Sequence, residues 1–148
     1  MGLLNRLTGP YIYLDANIFI YALEAYPEYI GELTLLFRAI DEGRFQAVTS
    51  ELTLAEALVK PFLDGSEEHR AQYEQAIQNT ASLHVVPVNR RVLTEASRLR
   101  ATTGLRLPDA IHAATSVLGS CETFLTNDRH FRGVSGLPVV VLSEILQI

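Results

Sequence analysis

Residues 11–23, YIYLDANIFIYAL, contain the strand-to-helix transition on which the fold prediction depends. Residues 11–14 are a short apolar run typical of a buried strand, and residues 17–24 have the pattern of a helix. Asp15 ends the predicted strand. A carboxylate in so apolar a segment is costly, because its charge is removed from water unless a partner compensates for the lost hydration.

The same alternation continues along the chain. Further apolar runs predict strands at 45–49, 83–88, 123–126 and 139–142. Periodicity and capping residues, such as Ser50, predict helices at 30–41, 51–62, 67–81, 90–103 and 108–118, with one helical turn at 128–131. Five apolar strands separated by helices predict a single α/β domain, residues 1–148, with a five-stranded parallel sheet and helices on both faces.

Three further acids lie where predicted strands and helices meet: Glu56 in TSELTLAEALV (49–59), Asp109 in LPDAIHAATSV (107–117) and Asp128 in FLTNDRHF (124–131). Asp15 and Asp128 follow strands. Asp109 begins the helix before the fourth strand, and a right-handed crossover puts that helix N-terminus at the carboxyl edge of the sheet. Glu56 can reach the same edge from its second helical turn. Open parallel sheets bind ligands there, so one shared site is expected.

Each acid also has a purely structural interpretation. The two acids that follow strands are favoured helix N-caps, and Asp109 suits the dipole of a first helical turn. Glu56 is the hardest to explain in this way. It interrupts an apolar stripe at helical spacing, which consists of Leu52, Val59 and Leu63.

Clustered carboxylates repel one another, and a divalent cation removes that repulsion. Ligands that are all oxygen atoms suit Mg²⁺ or Mn²⁺ rather than zinc or copper. Such a cation lowers the pKa of a bound water and stabilises charge on an attacked phosphate. The four acids therefore predict metal-dependent hydrolysis of a phosphodiester.

The composition limits how a nucleic acid would be bound. The net charge is -5, which argues against a broad basic surface. Contacts to phosphate would be local, and Arg106, Arg129 and Arg132 flank two of the acids, although ordinary solvated arginines explain them equally well. Cys121 is the only cysteine, so an intrachain disulfide and a cysteine-based zinc site are excluded.

The segments that carry the acids resemble the PIN-domain proteins, and specifically the VapC-type toxins of toxin–antitoxin systems. The matching segments follow the family's order along nearly the whole chain: YLDANIFIYAL, TSELTLAEALV, LPDAIHAATSVLG, FLTNDRHF and LPVVVLSE. The resemblance implies an Mg²⁺- or Mn²⁺-dependent ribonuclease in which the four acids bind metal and catalyse cleavage. It also implies that Asn17 and Thr126 support the site, and that the chain forms a homodimer and binds an antitoxin protein.

Several other residues have competing interpretations. His112, one turn beyond Asp109, is more simply a satisfied helix histidine than a site residue, and His130 more simply a surface residue. Arg129 is retained as a candidate for substrate contact. Aromatic residues expected in the core are Tyr11, Tyr13 and Phe19.

Three other functions stay open at this stage. A PIN-type nuclease of RNA processing or decay would share the same acids. A haloacid-dehalogenase-type phosphohydrolase also has an acid at a strand end, but Asn17 stands where it has a second acid, and Lys60 is the only lysine. A catalytically silent PIN-like binding domain is the third. Residues 1–10 lack a signal-peptide pattern and no apolar run approaches the length of a membrane span, so we expect a cytoplasmic protein without a membrane segment.

Overall fold

A parallel five-stranded sheet runs through the centre of the structure, a computed structural model that describes residues 2–145. Met1 and residues 146–148 of the predicted domain lie outside the described residues. The strands are β1 (Tyr11–Leu14), β2 (Gln46–Ser50), β3 (Leu83–Val86), β4 (Thr123–Thr126) and β5 (Val139–Val141). Their order across the sheet is β3-β2-β1-β4-β5, and every pairing is parallel.

Helices cover both faces of this sheet. They are α1 (Ala16–Leu23), α2 (Ile30–Asp41), α3 (Glu51–Asp64), α4 (Glu67–Ala76), α5 (Arg90–Thr103), α6 (Leu107–Leu118) and α7 (Leu142–Ile145), with 3₁₀ turns at Leu3–Arg6 and Arg129–Gly133. Side chains alternate along each strand, so β1 supplies Ile12 and Leu14 to one core and Tyr13 to the other. The first core packs against α1 to α4 and the second against α5 and α6. The predicted fold class is therefore confirmed.

The strand order defines where a ligand would enter. The chain proceeds from β1 outward to β3, and then returns through α5 and α6 to β4 on the other side of β1. The connections therefore diverge at the carboxyl ends of β1 and β4, which leaves a crevice at that edge of the sheet.

Two predicted elements extend several residues too far, and the fifth strand ends at Val141 rather than at residue 142, because Leu142 begins α7. Helix α4 ends at Ala76 rather than at residue 81, because Asn79 and Thr80 use their side chains on the backbone instead. Asn79 Oδ1 accepts from Val85 N at 2.8 Å, and Thr80 Oγ1 accepts from Leu83 N at 3.1 Å. Such bonds compete with helix continuation. Strand β3 ends before Pro87, which has no N–H to donate to a neighbouring strand.

Two predictions about burial are wrong. Tyr13 and Phe19 lie in the core as expected, but Tyr11 is 46% exposed at the start of β1. The apolar stripe of α3 does not face the core either: Val59 is 56% exposed and Leu63 is 81% exposed. The fully buried residues of α3 are smaller, namely Thr53, Ala57 and Pro61, and Leu54 and Leu58 pack beside them, partly buried against the first core. Glu56 therefore does not interrupt a buried stripe, and the interpretation that rested on this stripe is wrong.

Among residues 2–145, no helix combines the length and the hydrophobicity that a membrane crossing requires.

Candidate active site

Asp15 is the innermost acid of the crevice. It directly follows β1, its backbone N–H donates to Leu125 of β4, and the residue is only 7% exposed. Its Oδ1 accepts from Ala16 N at 2.7 Å, and its Oδ2 accepts from the Thr126 hydroxyl at 2.7 Å. Asp15 thus caps α1 and points into the crevice at once, so its structural and functional interpretations are compatible.

Thr126 connects the two acids that follow strands. Its buried hydroxyl donates to Asp15 and accepts from the backbone N–H of Asp128 at 3.0 Å. Asp128 in turn accepts through Oδ1 from His130 N at 2.9 Å and lies 2.8 Å from His130 Nδ1. Asp128 therefore begins the 3₁₀ turn as a cap, and Thr126 holds that turn at the end of β4.

Glu56 reaches the crevice through a histidine. Its Oε1 lies 2.6 Å from Nε2 of His112 on α6, and the same Nε2 lies 3.7 Å from Oδ1 of Asp15. The other ring nitrogen, Nδ1, lies 2.7 Å from the hydroxyl of Tyr13. His112 is 1% exposed, so this polar chain crosses the core between β1, α6 and α3.

Charge in this cluster is unevenly compensated. Burial raises the pKa of Asp109, the charges of Asp128 and Asp15 raise it further, and Arg106, whose Nε is 3.7 Å from Oδ2, only partly offsets them. Burial lowers the pKa of His112, but its hydrogen bond to Glu56 and the charge of Asp15 outweigh burial and raise that pKa overall. The crevice therefore has an excess of negative charge around Asp109.

The other predicted residues lie at the border of the site. Asn17 is exposed in the first turn of α1. Arg129 and Arg132 both pair with Glu144, the former through Nε at 3.1 Å from Oε2. Neither arginine points to an acid of the crevice in this state, and each has a carboxylate partner that a phosphate would have to replace.

The donor set matches a hard divalent cation in chemistry, since all four acids offer carboxylate oxygens. Within residues 2–145, however, no three His, Cys, Asp or Glu side chains are grouped so that they could hold a metal ion. In these hydrogen bonds, Oε1 of Glu56 faces Nε2 of His112, and Oδ1 of Asp128 faces His130. Metal binding would need Asp128 to exchange its partner, whereas Glu56 can keep its hydrogen bond through Oε1 and offer its other oxygen to the cation.

The sequence-based prediction did not include His112 among the residues of the site. The simpler interpretation, a satisfied helix histidine, is right in that both ring nitrogens have partners, but one of those partners is a candidate acid. A signal was present in LPDAIHAATSV, where His112 is three residues after Asp109 and so on nearly the same helix face.

Comparisons with known proteins agree with this architecture. The PIN domain family model matches residues 12–137, and the chain therefore belongs to the PIN domain family. Among curated protein sequences, none matches this chain significantly.

Several solved structures share the fold. The crystal structure of VapBC2 from Rickettsia felis bound to a promoter DNA fragment is similar with a TM-score of 0.68 and 17% identity, over 88% of this chain and 98% of that one. A toxin–antitoxin complex from Klebsiella pneumoniae is similar with a TM-score of 0.66 and 22% identity, over 88% and 96%. The crystal structure of VapBC-5 from Mycobacterium tuberculosis is similar with a TM-score of 0.57 and 22% identity, over 90% of this chain and 98% of that one.

Proposed function

We propose that this chain, as one PIN domain, is a metal-dependent endoribonuclease and the toxin of a toxin–antitoxin pair. The observation that carries the proposal is the convergence of acids on one crevice. Asp15 and Glu56, which are 41 positions apart in the printed sequence, both lie within 3.7 Å of His112 Nε2, and the charges of Asp15 and Asp128 act on Asp109. Membership of the PIN domain family supports the same chemistry.

The four acids would hold Mg²⁺ or Mn²⁺, and the bound cation would supply the positive charge that attracts a phosphate and stabilises charge developing on it. Thr126 and the N–H of Ala16 orient both oxygens of Asp15. Asp109 and Asp128 contribute negative charge that repels RNA unless a cation offsets it. The arginines at the border of the site, Arg129 and Arg132, would contact phosphates beside the cleaved bond.

The test is RNA cleavage with Mg²⁺ or Mn²⁺ and with a chelator, for the wild type, Asp15→Asn and Asp109→Asn. Both substitutions keep side-chain size but remove a ligand charge, so metal-dependent cleavage should be lost while the circular dichroism spectrum is unchanged. The matched control is Asp64→Asn, which changes an exposed acid at the end of α3. Cleavage at the wild-type rate by either site variant would refute the assignment.

The same assay separates the alternatives. A phosphohydrolase would turn over small phosphate esters rather than RNA, and a silent binding domain would do neither and would bind no Mn²⁺ in calorimetry. A nuclease of RNA processing would cleave RNA without inhibiting growth when expressed alone.

We propose that the enzyme acts on RNA in the cytoplasm.

We also propose an antitoxin partner and a homodimer, as suggested by the toxin–antitoxin complexes that share the fold. The inner face of α2 is occupied by core packing of Leu33, Leu36 and Ile40. The outer face of α3 offers exposed apolar side chains: Val59, Phe62 and Leu63. This second face is the better candidate for a protein partner.

A further inference from the structure

A buried imidazole joins β1, α6 and α3 at the crevice. Tyr13 is stacked on Phe124 with ring centroids 5.1 Å apart and 3° between planes, and it meets His112 edge-on at 5.9 Å. The Tyr13 hydroxyl is therefore held in place by a packed ring rather than by a flexible chain. Both nitrogens of His112 have a partner, at 2.7 Å and 2.6 Å.

The partners define the direction of the hydrogen bond to Glu56. An ionised carboxylate only accepts, so Nε2 carries a proton and donates it to Oε1. In the neutral ring, Nδ1 then accepts from the Tyr13 hydroxyl. The tyrosine thus favours, in the neutral ring, the tautomer that donates to Glu56. A protonated ring donates from both nitrogens, so Nε2 donates to Glu56 in either state.

Glu56 needs such a partner more than the other acids do. Its side chain is 36% exposed on α3, whereas that of Asp15 is 9% exposed and is held by two donors. A glutamate has three side-chain torsions, and a half-exposed one samples several rotamers unless a contact selects one. Within residues 2–145, the hydrogen bond that selects its orientation is the one from His112, which uses Oε1.

Core packing alone does not require a histidine here. The neighbouring buried positions of α6 are Ala110, Ala113 and Ala114, and an apolar side chain would fill the site without polar atoms to satisfy. A fully buried histidine with a hydrogen-bond partner at each nitrogen is instead typical of residues that orient the carboxylate ligands of a metal without binding the metal themselves.

We propose that His112 is a positioning residue that holds the Glu56 carboxylate for cation binding. Tyr13 fixes the imidazole through the hydrogen bond between its hydroxyl and Nδ1. This inference rests on the proposed function. It adds a residue that acts through Glu56 and does not itself touch substrate.

The experiment measures Mn²⁺ affinity by calorimetry, together with kcat and KM for RNA, in variants of the full chain. His112→Asn keeps an amide nitrogen near Nδ1 but is too short to reach Glu56, whereas His112→Gln places an amide N–H near Nε2. We expect His112→Asn to weaken Mn²⁺ binding by roughly 10- to 100-fold and to lower kcat with little change in KM. His112→Gln should recover most of this loss. His69→Asn, at an exposed position of α4, is the matched control.

A double variant separates positioning from packing. If His112 acts through Glu56, Glu56→Gln with His112→Asn should bind Mn²⁺ no more weakly than Glu56→Gln alone. Nitrogen-15 spectra add a readout without RNA: the His112 ring signals should shift on addition of Mg²⁺ in the wild type and not in Glu56→Gln. If His112→Asn fails to fold, Tyr13→Phe and His112→Gln carry the same comparison.

The outcomes distinguish the two levels of inference. Wild-type Mn²⁺ affinity in His112→Asn, or losses that add in the double variant, would overturn the positioning role even while Asp15→Asn abolishes cleavage. A wild type that neither binds Mn²⁺ nor cleaves RNA would overturn the proposed function and this inference together.

Discussion

The Thr126 hydroxyl donates to Oδ2 of Asp15 at 2.7 Å, across the boundary between β4 and β1. The Thr126 hydroxyl oxygen also accepts from the backbone N–H of Asp128 at 3.0 Å. One buried hydroxyl therefore supports a candidate ligand on each of two adjacent strands. A carboxylate as enclosed as Asp15 depends on such donors, since it has little water to replace them.

Replacing Thr126 by valine should destabilise the chain by about 1–3 kcal/mol, because it leaves an oxygen of buried Asp15 without its donor. Urea denaturation at neutral pH measures this change in the free energy of unfolding. Thr126→Ser keeps the hydroxyl and removes only a methyl group, so it is the matched control and should lose less. A valine variant as stable as the serine variant would show that the hydroxyl contributes nothing to Asp15.

The arginines at the border of the site give a prediction about substrate affinity. Glu144 pairs with Arg129 and Arg132, and both arginine side chains are more than half exposed. Glu144→Gln should release them and strengthen RNA binding several-fold at low salt. Two new phosphate contacts on a single strand would steepen the slope of log affinity against log salt by about 1.4.

Filter binding of RNA across a salt series tests this prediction. Glu95→Gln is the control, because it releases Arg98, whose side chain is comparably exposed, on α5 outside the crevice. Equal effects of the two substitutions would mean that only net charge matters.

In the absence of a cation, the acids of the crevice should lower the free energy of unfolding. The pKa of Asp109 in the folded chain is raised above its ordinary value of 3.8, so the folded state favours the protonated carboxyl. This preference stabilises the folded chain at pH values below the ordinary pKa. The stabilisation is lost as the pH rises through the folded-state pKa. Asp109→Asn should therefore raise the free energy of unfolding in chelator at pH ~7.

Thermal unfolding at several pH values checks the sign. The advantage of the asparagine variant should shrink as the pH is lowered, because the wild-type carboxyl then becomes protonated too. A variant that is less stable than the wild type at neutral pH would contradict the burial and the charge repulsion that raise the pKa of Asp109.

The exposed apolar face of α3 gives a prediction about assembly. Leu63 is 81% exposed, so Leu63→Ser should change the free energy of unfolding of the monomer by less than about 0.5 kcal/mol. If this face is the dimer contact, the same change should weaken self-association about tenfold or more in light scattering. Leu35→Ser, at an exposed position of α2, is the control. A wild type that stays strictly monomeric at high concentration would exclude the homodimer.

Much of the fold follows from local sequence patterns. Residues 11–14, 30–41, 90–103 and 123–126 have the structure that was predicted from them, to the residue. Ser50 marks the start of α3 through its N-cap side chain, and Gly104 marks the end of α5 through its left-handed backbone. Both are local properties of the sequence. Alternation of strands and helices also predicts a common edge for the acids, because parallel strands end together.

Other features depend on which face of each element packs inward. The stripe on α3 has helical spacing, yet Val59 and Leu63 face outward while Thr53 and Ala57 face the core. Periodicity identifies two faces of a helix but does not say which one meets the sheet when small residues pack more closely.

Local patterns in the amino-acid sequence predict the class of fold, most of its elements and the edge of the sheet near which Asp15, Asp109 and Asp128 lie. Only the tertiary structure decided that Glu56 meets His112, a residue 56 positions away, and that Tyr13 stands behind that histidine. The physical reason is that hydrogen bonds between elements depend on the packing of three layers, whereas capping and periodicity depend on neighbours along the chain.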